Sequence, residues 1–134
     1  MKPQELRIGN IVKIDDEYLG PIEGKVTSLK ESGEAELLLS VSKGNGRYFV
    51  CGSDDIFPIL LTEELLTKIG FVKRIYSDKI FEYGEGMLST VYFIESTMID
   101  IRTEDNGATI QCTHLHQLQN AYYLVTGKEL EIKA

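Results

Sequence analysis

Tryptophan is absent from this sequence of 134 residues, and proline and cysteine are rare, with three and two copies. The cysteines, Cys51 and Cys112, form neither a CxxC motif nor the Cys/His spacing of a zinc site. Two isolated cysteines favour buried free thiols over a disulfide between them, and free thiols are typical of a reducing cytoplasm. The sequence therefore predicts no metal, no cofactor and a cytoplasmic location.

Long apolar runs are also missing. Stretches such as ELLLSV, at residues 36–41, are far shorter than the roughly 20 residues of a membrane-spanning helix. The opening residues, MKPQELRIGN, lack the apolar core of a secretory signal. The sequence therefore predicts a protein that has no membrane partner.

Positive charge is scarce and dispersed. The chain has 14 basic and 21 acidic side chains, a net charge of −7, and its only adjacent basic pair is Lys73-Arg74. Residues 1–61 carry 7 basic and 10 acidic side chains, and residues 62–134 carry 7 and 11. Since phosphate backbones are bound by clustered positive charge, nonspecific nucleic-acid binding is disfavoured. A small basic patch assembled by folding is the alternative.

The first half of the chain has the pattern of short β-strands. Between Leu6 and Ile59, four or five apolar or alternating stretches are separated by Gly, Asn, Asp and Pro. The segment SKGNGR, at residues 42–47, supplies the residues of a hairpin turn. This spacing predicts an SH3-like small β-barrel in residues 1–61.

The second half, residues 62–134, begins with a helix and continues as strands. In PILLTEELLTKIGF, at residues 58–71, Thr62 is a predicted N-cap and Gly70 a predicted left-handed C′ residue. Residues 71–112 then alternate as an antiparallel meander, with EDNG at residues 104–107 as a hairpin turn. A closing helix covers the meander and a short final strand follows it. The chain is therefore predicted to be α+β, with two subdomains, 1–61 and 62–134.

The closing helix, within THLHQLQNAYYLVTGKEL at residues 113–130, has two contrasting sides. Thr113 is its predicted N-cap and Gly127 its predicted C′ residue. At 100° per residue, one arc is apolar and predicts docking onto the sheet. Its members are Leu115, Leu118, Ala121, Tyr122 and Val125. The opposite arc consists of His116, Gln119, Asn120 and Tyr123.

This polar arc is the candidate binding site. Solvated helices usually carry Glu and Lys, whereas the arc has hydrogen-bonding groups without a fixed charge, which favours an interface. Two other interpretations remain: the arc is simply solvated, or it forms a buried polar network against the N-terminal strands.

Catalytic and metal motifs are scarce. The chain has no GxSxG, HExxH, Walker A or strand-following GxGxxG motif. On a helix that starts at Thr113, His114 and His116 would point about 200° apart, so they are predicted not to share an ion. A Cys112–His114 pair could in principle activate a nucleophile, but alternation in ATIQC favours a buried Cys112 thiol.

Three blocks of the sequence resemble one known family. They are LRIGNIV near the start, PILLTEELLTKIGF in the middle and HQLQNAYYLVTGKELEI near the end. Together they resemble small, uncharacterised proteins from Bacteroides and related genera, often associated with prophages or other mobile elements. The resemblance implies a bacterial cytoplasmic or phage-associated protein, and it transfers no catalytic residue.

The favoured hypothesis is a non-enzymatic protein-binding or adaptor protein, whose partner is another protein or a second copy of the chain. The first alternative is a nucleic-acid-associated accessory protein that uses the N-terminal barrel. It requires the basic residues of the first half to lie on one face; these are Lys13, Lys25, Lys30, Lys43 and Arg47. The second, less favoured alternative is an enzyme that uses Cys112 and His114.

Overall fold

Residues 5–16, 20–39, 47–85 and 88–132 are described by the computed structural model of the chain. The chain divides into two compact units, Met1–Ile59 and Leu60–Ala134. Each unit contains one five-stranded antiparallel sheet, and the second unit also carries both α-helices found in the described ranges. The predicted α+β class is confirmed.

In the described ranges, the first unit contains five strands and a 3-10 turn at Ser53–Asp55. The strands are β1 (Ile11–Asp16), β2 (Gly20–Leu29), β3 (Ala35–Leu39), β4 (Arg47–Cys51) and β5 (Ile56–Phe57). Their order in the sheet is β4-β3-β2-β1-β5. In the described residues the two edge strands, β4 and β5, do not pair with each other, so the predicted SH3-like barrel is not confirmed. Of the predicted hairpin turn at residues 42–47, residues 42–46 lie outside the described residues.

The ten-residue strand β2 joins the two halves of this sheet. Its residues 20–25 pair with β1 and its residues 24–29 pair with β3. The register shifts between Val26 and Ser28, an irregularity of the bulge type that increases strand twist. One buried hydrophobic cluster draws on all five strands. It contains Leu6, Val12, Ile14, Ile22, Val26, Ala35, Leu37, Leu39, Cys51 and Ile56.

The second unit is a meander between two helices. Its elements are α1 (Glu63–Ile69), β6 (Val72–Lys73), β7 (Ile80–Glu85), β8 (Leu88–Phe93), β9 (Met98–Arg102), β10 (Gly107–Gln111) and α2 (Leu115–Thr126). The strands lie in the order β10-β9-β8-β7-β6, and α2 packs against β9 and β10. Neither α1 nor α2, the α-helices of the described ranges, combines the length and apolar character that crossing a membrane requires.

The caps of α1 agree with the sequence prediction. The Thr62 hydroxyl accepts the backbone N–H of Leu65 at 3.2 Å. Gly70, at φ 122°, donates its N–H to the carbonyls of Leu66 and Thr67. Leu66 and Ile69 are fully buried, so the short helix is held both by its caps and by its apolar side.

Alternate residues of the meander form its buried face. Phe81, Tyr92, Ile99 and Ile101 all have an exposure of 1% or less. The Tyr92 phenol donates a hydrogen bond of 2.8 Å to the carbonyl of Cys112, which follows β10. This bond satisfies a buried donor and ties the middle of the sheet to the segment that leads into α2.

Thr90, on β8, has a buried hydroxyl for which the described residues offer no hydrogen-bond partner. Burying such a group costs about 1–2 kcal/mol relative to an apolar group of similar shape. We therefore expect Thr90→Val to raise the free energy of unfolding by about 1 kcal/mol, and the melting temperature by about 3 °C. Thermal unfolding followed by circular dichroism measures this. Thr109→Val, at an exposed site on β10, is the control; a less stable Thr90→Val variant would contradict the prediction.

Candidate functional site

The start of α2 lies one residue later than predicted. His114, not Thr113, is the N-cap, with φ −127° and ψ 155°. The Oε1 atom of Gln117 accepts the backbone N–H groups of Thr113, at 2.8 Å, and of His114, at 3.1 Å. The Gln117 side chain thus satisfies the N–H of the N-cap residue and of the residue before it, whereas a Thr113 N-cap would have accepted an N–H from within the first turn. The end agrees with prediction, because Gly127 is left-handed at φ 71°.

The short strand predicted after α2 is not formed in the described residues 128–132. Only Leu130 of that segment is buried, so a single apolar side chain anchors it instead of a strand pairing. The segment consequently leaves Lys128, Glu129 and Glu131 exposed beside the end of α2.

The four residues of the candidate arc lie in different environments. His116 and Gln119 are buried, with exposures of 3% and 2%. Asn120 is half-buried, and Tyr123 is 43% exposed. The arc is therefore not one continuous exposed surface, and the large side chains that α2 exposes are Tyr123 and its neighbour Leu124.

The two histidines lie closer together than predicted. The 100° step per residue does not apply between them, because His114 precedes the helix in extended backbone and only His116 is helical. Their ring centroids are 6.0 Å apart and the rings are stacked at 27°. In the part of the chain that the structure describes, no group of three or more His, Cys, Asp or Glu side chains is arranged to hold a metal ion.

Cys112, the candidate nucleophile, is fully buried. Burial raises the pKa of its thiol to about 12. Since the thiolate is the reactive form of cysteine, this environment suppresses nucleophilic chemistry and does not activate it. Cys51 is also buried, and both cysteines are free, as predicted.

The basic residues of the first unit are interspersed with acidic ones. Lys13 lies directly opposite Glu23 in the register of β1 and β2. Lys25 lies two residues beyond Glu23 on β2, so it shares the same face of the sheet. The described strands therefore present mixed charge on this face.

The edge strand β4 exposes three consecutive apolar side chains. Tyr48, Phe49 and Val50 have exposures of 65%, 44% and 41%. One edge of β4 pairs with β3, for example Phe49 with Leu37. No strand in the described ranges pairs with its other edge. Unpaired backbone groups beside exposed apolar side chains are the features that allow a further strand to add to a sheet.

The sequence contained a signal for this site, although the strand pattern alone did not identify it. Successive side chains of a strand point to opposite faces, so three apolar residues in a row place apolar groups on both faces. On a central strand of a two-sided core all three would be covered. On an edge strand, a run such as Tyr48-Phe49-Val50 leaves apolar surface exposed.

Comparison with known proteins gives no relative from which a function could be transferred. No protein-family model matches the chain, no curated protein is similar to it and no solved structure matches its fold. Function is therefore inferred from the geometry of the described residues.

Proposed function

We propose that this protein is a non-enzymatic protein-binding or adaptor protein, and that it binds through the outer edge of β4. The observation that carries this proposal is the exposed run Tyr48-Phe49-Val50 on an edge strand. An added strand would form backbone hydrogen bonds with the unpaired edge of β4. Its side chains would cover apolar surface on both faces, which gives the contact a hydrophobic component.

The proposal includes an SH3-like first unit from a bacterial mobile element or prophage. The strand order β4-β3-β2-β1-β5, the 3-10 turn before β5 and the pairing of β2 with both of its neighbours support the SH3-like part. The mobile-element origin is supported by the resemblance of the three sequence blocks alone.

The partner we propose is a second copy of this chain. An antiparallel pairing of two β4 strands about a two-fold axis at Phe49 places Phe49 opposite its own copy. The same register places Tyr48 opposite Val50 on either side. Every cross-strand contact at the centre is then apolar, and aromatic and β-branched pairs are favourable cross-strand neighbours. An edge with this self-complementarity suits an isologous dimer.

The test uses opposite charges at the centre of the proposed pairing. Phe49→Lys places two ammonium groups opposite each other in a dimer, and Phe49→Glu places two carboxylates there. Each variant alone is expected to weaken self-association by about tenfold or more, because an apolar pair is replaced by like charges. An equimolar mixture of the two is expected to recover association. Sedimentation velocity over a wide range of protein concentration measures both effects.

Phe57→Lys is the matched control, since Phe57 is 46% exposed on β5, the other edge strand of the same sheet. It is expected to self-associate as the unmodified protein does. A monomeric unmodified protein at every concentration would overturn the proposal, as would two Phe49 variants that associate normally. Circular dichroism establishes that each variant is folded.

A further inference from the structure

A cavity of about 450 Å³ lies within the second unit, beside the end of α2. Side chains of the sheet, of α2 and of the segment after it line this cavity. They are Tyr83, Leu88, Thr103, Tyr122, Thr126, Lys128, Glu129 and Glu131. The volume is that of a site for a small molecule or a single side chain.

Two tyrosines form the aromatic part of the lining. The rings of Tyr83 and Tyr122 meet edge to face, with centroids 6.2 Å apart and an angle of 77°. Phe71 packs on Tyr83 at 5.3 Å, and Tyr122 is buried, so both rings are held in place. Tyr83 is the more exposed of the two rings, and the π-electrons of a tyrosine ring attract cations.

The charges of the lining favour a cation as well. Glu129 and Glu131 contribute two carboxylates and Lys128 one ammonium group, so the lining carries a formal charge of −1. Residues 62–134 as a whole have 11 acidic and 7 basic side chains. The cavity therefore lies in a unit of negative net formal charge.

The two threonine hydroxyl groups of the lining are used as donors elsewhere. Thr126 donates to the carbonyl of Tyr122 at 2.7 Å, and Thr103 donates to the carbonyl of Asn106 at 3.2 Å. Their hydrogens therefore point at backbone carbonyls. Each oxygen also accepts one backbone N–H, Thr103 from Asn106 at 3.0 Å and Thr126 from Lys128 at 3.1 Å, so each has one lone pair left for a ligand that donates hydrogen bonds.

We propose that this cavity binds an organic cation, an ammonium or guanidinium group, beside the Tyr83–Tyr122 pair and near the carboxylates of Glu129 and Glu131. The half-buried Tyr83 ring contacts the cation and the carboxylates balance its charge. The cation can be a free small molecule or the side chain of a peptide, because both present the same chemistry. This site lies in the second unit and does not depend on the role proposed for β4.

The experiment titrates isotopically labelled protein with choline, and separately with its uncharged isostere 3,3-dimethyl-1-butanol, by amide NMR. Choline is expected to shift the amides of the lining residues saturably, and the isostere to bind at least about fivefold more weakly. Equal binding of the two probes, or no saturable shift with choline, overturns the proposal. N-acetyl-arginine amide is the third probe. Tighter binding of this probe assigns the cation to a peptide side chain, and tighter binding of choline assigns it to a free quaternary ammonium.

Three variants locate the binding. Glu131→Lys, at an exposed position, is expected to weaken choline binding by about tenfold, and Glu104→Lys, an exposed carboxylate outside the lining, to change it less than about twofold. Tyr83→Leu removes one ring and is expected to abolish saturable binding. If Tyr83→Leu fails to fold, the Glu131 and Glu104 pair decides alone. Choline binding that is the same in Glu131→Lys as in the unmodified protein overturns the assignment.

Discussion

Replacing Leu118 with alanine is expected to lower the free energy of unfolding by about 3 kcal/mol. Leu118 has no exposed surface and lies on the apolar side of α2, which packs against β9 and β10. Truncation removes buried apolar area and leaves a cavity that close-packed neighbours fill only in part. Urea unfolding followed by the helical circular dichroism signal measures the loss, since both described helices belong to the second unit.

Leu124→Ala is the matched control on the same helix. Leu124 is 75% exposed, so its truncation removes little buried area, and we expect a change within about 0.5 kcal/mol. Both variants change leucine to alanine within α2, so the effect on helix propensity is similar in the two. The difference between their losses in free energy of unfolding therefore measures the effect of burial. Equal losses in the two variants would contradict the packing of α2 described above.

Alkaline unfolding is the second large expected effect. Burial raises the pKa of the Cys112 thiol from 9.0 to about 12. Burial, and then the charge of Cys112, raise the pKa of the Tyr92 phenol from 10.0 to about 12. Between the unfolded-state and folded-state pKa values of each group, the folded state keeps a proton that the unfolded state has released. The contribution of these groups to the free energy of unfolding is therefore fully present below pH 9 and is lost as the pH rises towards 12. Cys112 alone accounts for a loss of about 4 kcal/mol at pH 12.

The hydrogen bond between the Tyr92 hydroxyl and the Cys112 carbonyl adds a specific reason for this sensitivity. A tyrosinate cannot donate, so ionisation of Tyr92 breaks that bond and leaves a buried anion beside the carbonyl oxygen. Urea unfolding at a series of pH values from 8 to 11 measures the effect. Cys112→Ala is expected to be less stable at pH 8 but to lose stability more slowly with rising pH. An unchanged pH slope in this variant would show that Cys112 is not the titrating group.

The features predicted well from the sequence depend on neighbouring residues. The caps of α1 at Thr62 and Gly70, and the end of α2 at Gly127, follow from side-chain and backbone preferences within one turn. The alternation that buries Ile99 and Ile101 is likewise a local property of a strand. Such signals require no knowledge of the rest of the fold.

The candidate site depended on information that a single segment does not contain. A helical wheel gives the direction of His116 and Gln119 but not what covers them, and both are buried. The helix α2 starts one residue later than predicted. Gln117, inside the helix, accepts the N–H groups of Thr113 and His114, and a wheel of the helix alone does not show this contact. Because His114 therefore precedes the helix, the helical step of 100° per residue does not separate it from His116, and the two rings lie closer together than predicted.

The exposed edge and the cavity arise only from tertiary structure. The run Tyr48-Phe49-Val50 is visible in the sequence, but its meaning depends on β4 lying at the edge of the sheet. The pair of Tyr83 and Tyr122 joins residues from β7 and α2 that no spacing rule connects. The sequence predicts most of the elements, and their arrangement forms the exposed edge and the cavity.

The way in which the second unit closes sets an order for folding during synthesis. Leu60 forms a β-bridge with His114, and the N–H of Leu61 donates to the carbonyl of Thr113, so the first residues of the unit meet the segment that starts α2. The five strands described in the first unit end by Phe57, so we expect that unit to fold while the rest of the chain is still being translated. The second unit cannot complete its fold until α2 has left the ribosome. Until then the apolar face of its meander is uncovered, and we expect the nascent chain to be most prone to aggregation during this interval.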